Sequence, residues 1–146
     1  MALKSGTVPA LTTELGSNAA AADVVGKFGV DGATITVGTE ATDVINVAVQ
    51  LLDAGGLDMT VRSCVRVYLS DDANGDSIAS TAPDSGISIG TDGVLEETTA
   101  DKAGFVTSES DGDFDINVEE SSIDTWYLIV VLPNGKLVAS DAITFA

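Results

Sequence analysis

The chain has 146 residues, 45% of them hydrophobic, a length that fits one domain or one domain plus an arm and that can bury a real core. Six Lys and Arg against 23 Asp and Glu leave a formal net charge of −17, which argues against nucleic acid and anionic membrane as partners, because both are held by clustered cations. The absence of His and the presence of one cysteine, Cys64, rule out Ser–His and Cys–His nucleophiles, an internal disulfide and a thiolate zinc cluster.

Residues 1–33 form the first compositional block. The start lacks a charged segment followed by an apolar run, so no secretory signal is expected, and Met1 followed by a small residue reads as a natural start of a chain made in a cytoplasm. The apolar residues Leu3, Val8, Leu11, Leu15, Val24, Val25, Phe28 and Val30 follow no sustained period, and Pro9, Gly26, Gly29 and Gly32 argue against one long helix. A short helical turn fits Asn18–Val25, capped by Ser17 or Asn18. Two readings stand side by side. One is a floppy tail; the other is an extended arm whose Leu3, Val8, Leu11, Leu15, Val24, Val25 and Phe28 order by docking on a neighbouring subunit or another surface.

From residue 34 onward, short alternating runs are separated by turn residues. Thr34–Val37 is a short strand, and Ile45, Val47, Val49 and Leu51 form one apolar face of the next, which Asp53-Ala54-Gly55-Gly56 ends. Val61–Leu69 follows, with Val65, Val67 and Leu69 on one face and Cys64, Arg66 and Tyr68 on the other. Shorter strands are predicted at Ser77–Ser80, Ile87–Ile89, Gly93–Thr98 and Phe105–Glu109. Phe114, Ile116 and Val118 then alternate with Asp113, Asp115, Asn117 and Glu119, the pattern of a strand with one wet face.

Thr125–Leu132 is apolar on both sides and suits a central strand; the longest apolar stretch, Trp126–Pro133, is far short of the ~20 residues of a membrane span. Asn134-Gly135 marks a hairpin of type I′, and Leu137–Phe145 returns as the last strand. Strands at this spacing, with almost no helical period, predict an all-β, antiparallel sandwich or barrel over residues 34–146. Fifteen of the carboxylates but only one cation, Lys102, lie between Asp71 and Asp124, so one side or end of the sandwich should be strongly anionic.

Candidate chemistry is sparse. Asp71-Asp72-Ala73-Asn74-Gly75-Asp76 resembles a calcium loop, but counting from Asp72 the sixth residue is Ser77 and the twelfth Pro83, where an EF-hand needs Gly and Glu. A solvated acidic turn is the simpler reading, and Asp111, Asp113 and Asp115 read as the solvent face of a strand. A glycosidase-type carboxylate pair would arise by chance among so many acids, and Trp126 in its apolar strand reads as core rather than as a sugar platform. Cys64 reads as a small packing residue, and Arg62 and Arg66, four apart on one strand face, as partners for the acidic flank or for an acidic interface. No catalytic residue, cofactor or metal ion is expected.

The run from Thr34 to Gly56, with Asp53-Ala54-Gly55-Gly56 at its end, followed by Val65-Arg66-Val67-Tyr68-Leu69-Ser70, resembles bacterial and phage immunoglobulin-like domains. Asp111-Gly112 ahead of the alternating strand to Val118, and the closing hairpin, fit the same pattern. With its Gly/Ala-rich start and the ending from Leu132 to Ala146, the whole chain is similar to small tailed-phage head decoration (cement) proteins. That resemblance implies an immunoglobulin-like sandwich on the outer capsid surface, bound to the major capsid protein and to itself, with a trimer favoured. A phage tail or head-fibre component, a bacterial cell-surface adhesion or carbohydrate-binding module, and a halophilic protein are the rival expectations. A high net charge suits a decoration protein, which must stay soluble without self-association.

Overall fold

The computed structural model describes residues 29–146. The expected helical turn at Asn18–Val25 and the arm residues Leu3, Val8, Leu11, Leu15, Val24, Val25 and Phe28 lie outside the described residues. Ten strands run in order: β1 (Gly32–Val37), β2 (Val44–Leu52), β3 (Cys64–Ser70), β4 (Gly86–Ile89), β5 (Val94–Thr99), β6 (Ala103–Thr107), β7 (Asp113–Glu119), β8 (Thr125–Val131), β9 (Leu137–Ala139) and β10 (Ile143–Thr144). They form two antiparallel sheets, β1-β2-β7-β4 and β10-β8-β3-β6-β5, with β9 also on β8. The fold is an immunoglobulin-like β-sandwich.

The alternating runs explain why the sheets face each other. Ile45, Val47, Val49 and Leu51 of β2 and Phe114, Ile116 and Val118 of β7 point inward from the first sheet. Val65, Val67 and Leu69 of β3 and Trp126, Leu128 and Val130 of β8 meet them from the second. Trp126 is 1% exposed and sits edge-to-face on Phe145, centroids 6.2 Å apart at 73°, which settles its role as core. Val30 is already packed into this core, and β1 starts at Gly32, two residues ahead of the predicted strand.

β8 is covered on both faces, as its composition demands, but by different things. Its second face carries Ile129, which packs with Tyr68 and Ala103 under the Asp71–Ser80 loop. The Tyr68 hydroxyl donates to the Gly75 carbonyl, and Ala79 N–H bonds the Leu69 carbonyl at 2.8 Å. Predicted as a strand, Ser77–Ser80 is part of this loop and belongs to no strand ladder; the Ala79 bond to Leu69 is its one backbone tie to β3.

Three turns also depart from expectation. β3 begins at Cys64, because Val61–Ser63 belong to the crossing from the first sheet to the second. The β8–β9 hairpin forms, but Gly135 has φ +85° while Asn134 is not in the left-handed region, so it is not a type I′ turn. Pro133 presets its own φ, Gly135 N–H closes onto the Leu132 carbonyl at 2.8 Å, and glycine takes the left-handed position after the turn. Finally, Leu137–Phe145 is two short strands split at Ser140, whose buried hydroxyl accepts from Leu128 N–H at 2.9 Å and replaces a ladder bond.

Candidate interaction surface

The predicted wet strand is wetter in sequence than in the fold. β7 lies inside the first sheet, between β2 and β4, and residues 90–92 fold back over its outer side. Asp115 is left only 9% exposed, and its Oδ1 accepts from the N–H of Thr91 at 2.8 Å and of Asp92 at 2.7 Å. Its Oδ2 takes a bond from the Asn46 side-chain amide, which also donates to Asn117 at 2.8 Å. Burial pushes the Asp115 carboxyl up, but the donors from Asp92, Asn46 and Thr91 outweigh it and hold the group below the usual carboxylate range. Asp115 is thus a clasp for a loop rather than part of a solvent face.

A shallow pocket of about 340 Å³ opens beside that clasp, lined by Thr34, Thr36, Asn46, Gln50, Asp113 and Asp115 among others. Asp113 is shifted upward by burial and by the neighbouring Asp111, with Asp92 adding to it. Asp113 and Asp115, two apart on β7, are therefore shifted in opposite directions. Among the described residues no three Asp, Glu or Cys side chains converge as metal ligands would. Asp71 and Asp72 spend their carboxylates locally: Asp72 accepts from Asn74 N–H at 2.8 Å and Gly75 N–H at 3.0 Å, and Asp71 from Ser80 N–H at 3.0 Å.

The outer face of the second sheet has a different character. Cross-strand pairing places Glu96, Phe105, Arg66, Val131 and Leu137 side by side in one row across β5, β6, β3, β8 and β9. At one strand spacing per step, that row runs for about 19 Å. Phe105 is 47% exposed and Leu137 42%, and the next row adds Val94 and the exposed Cys64. Arg66 stands 5.4 Å from the centroid of Tyr68, which holds its guanidinium near the face by a cation–π contact. The Asp71–Ser80 loop covers the row on the other side, that of Ala103, Tyr68 and Ile129, and stops short of this one.

Two expectations about cations and sulfur change here. Arg62 precedes β3 and so does not share a strand face with Arg66; it pairs with Glu109 at 2.6 Å, an exposed contact worth little by itself. Cys64 is exposed at the strand's first position rather than packed, because its alternation points it away from Val65 and the core. The carboxylates of the middle segment are spread over several surfaces. Asp115 and Glu120 are buried, and Glu120 accepts from Asp84 N–H at 3.0 Å and from Ser122 N–H at 2.8 Å.

Phe105 was not singled out from the sequence as a surface residue. The signal was available in Ala103–Thr107: once Val106 is assigned to the core, the period of two turns the aromatic outward. An aromatic beside an arginine is the pairing enriched where proteins bind each other.

No family model matches the chain, and no curated protein matches it. Among solved structures, it is similar to the cohesin module from Clostridium perfringens ATCC13124 family 33 glycoside hydrolase. That likeness covers 80% of this chain and 94% of the module, at 13% identity and a TM-score of 0.36, and it bears on neither partner nor activity.

Proposed function

We propose that this chain is a structural protein of a tailed-phage virion, which decorates the outside of the head by binding the major capsid protein and acts without catalysis. The observation that carries the reading is the open row on the second sheet: Phe105, Val131 and Leu137 around Arg66, on a protein of net charge −17. Copies of so acidic a body repel one another in solution, whereas an apolar row centred on a cation gives an acidic or neutral lattice something to hold. The resemblance of the chain's ends and its immunoglobulin-like body to head decoration proteins supports the same partner.

The test is occupancy. Purified particles are expected to carry this protein in numbers comparable to capsid subunits; a few copies per particle would place it in tail or fibre instead. Phe105→Ser is then expected to weaken capsid binding about thirtyfold, the effect of a ~2 kcal/mol anchor, while near-UV circular dichroism stays unchanged because the side chain is half exposed. Unchanged occupancy in Phe105→Ser together with Arg66→Glu would remove the row as the docking surface.

A further inference from the structure

β4 closes one sheet and β5 closes the other, so each has a side with no strand neighbour among the described residues, and the two follow each other directly in the chain. Between them runs a groove of about 500 Å³ lined by Ile87, Ile89, Val94 and Leu95, with Ser88 and Glu97 at its margins. Ile87 belongs to the buried core, whereas Val94 is 52% exposed, so the groove leads from solvent to the seam between the sheets. Open strand edges beside apolar side chains are a template for another extended segment.

We infer that this groove receives residues 7–15 of a neighbouring copy as an added strand. The 28 residues ahead of the described structure are the one part of the chain suited to it by charge. Lys4 and Lys27 balance Glu14 and Asp23 there, and the net charge of −17 resides in the rest. A neutral segment can approach an acidic body that a second body cannot. In extended conformation Leu11, Thr13 and Leu15 share one face and can fill the groove, and Pro9 is tolerated at a strand with one free edge.

The donor is a neighbour for a topological reason. The chain enters at β1, on the opposite edge of its sheet from β4. A return to its own groove across that sheet would lay Val24, Val25 and Phe28 over the side bearing Asn46, Gln50, Asp113 and Asn117. The inference deepens the proposed role by naming where the arm docks, and it rests on reading the residues ahead of Gly29 as an arm, since Val30 and Gly32 already belong to the sandwich. It is tested without capsids, so its failure leaves the occupancy experiment untouched.

The experiment mixes two forms of the full chain. One carries a spin label at Ser17→Cys in a Cys64→Ser background; the other is isotope-labelled and otherwise native. The expected result is loss of signal at the amides of residues 86–97 in the isotope-labelled molecules, and its disappearance when the isotope-labelled form carries Val94→Lys. Broadening seen only when label and isotope share one molecule would mean the arm folds back on its own body and would overturn the proposal. So would the absence of broadening at those amides, or its persistence in Val94→Lys.

Discussion

Asp115→Ala removes the acceptor for three donors at once: the N–H groups of Thr91 and Asp92 at 2.8 and 2.7 Å, and the Asn46 amide. A hydrogen bond to a charged group is worth about 1.5–3 kcal/mol, but the freed loop amides regain water, so the loss should be about 3 kcal/mol rather than the full sum. For a domain of this size that corresponds to a fall in Tm of about 10 °C. The pH dependence has a definite sign. The folded carboxyl titrates below its unfolded value near 3.8, so its contribution is present above that value and is lost as pH falls through the lower folded one. Urea midpoints for wild type and Asp115→Ala should differ most at neutral pH and converge as pH falls through the lowered folded value. Amide exchange at Thr91 and Asp92 should accelerate at neutral pH. A loss under about 0.5 kcal/mol, with those two amides still protected, would show that the carboxylate does not hold the loop.

Trp126→Ala should cost about 3–5 kcal/mol in urea unfolding, because the ring is buried against Phe145 and its removal leaves a cavity between the sheets. A smaller loss would mean that the core collapses to fill the space. Two glycines with similar φ should behave differently. At Gly135, φ +85° with open space around it, Ala should cost only about 1 kcal/mol. At Gly112, φ +84°, an added Cβ would sit 2.5 Å from Met59 Cβ and 2.8 Å from its carbonyl oxygen, so Ala should lower stability by a further 1–3 kcal/mol or so. Equal midpoints for the two variants would contradict the contact at Met59.

Periodicity carried the fold. Alternation in Ile45–Leu51, Val65–Leu69 and Phe114–Val118 assigned inward faces that the structure reproduces, since a period of two leaves no freedom about which side is buried. The apolar run of Thr125–Leu132 likewise announced a strand covered on both sides. Local chemistry served less well where two solutions are compatible with the same letters. Asn134-Gly135 marks a hairpin in either turn type, and Pro133 decided which one forms.

What composition and pattern determined, then, was an acidic antiparallel sandwich and the identity of its core, because burying apolar area is a demand each strand makes by itself. Tertiary structure alone decided which polar positions stay wet. Asp115 became a loop clasp because a segment more than twenty residues away turns back over it. Phe105, Arg66, Val131 and Leu137 became one row only when four strands from distant parts of the chain came into register. Neighbourhood across a sheet is set by hydrogen-bond pairing between strands, and no local pattern encodes it.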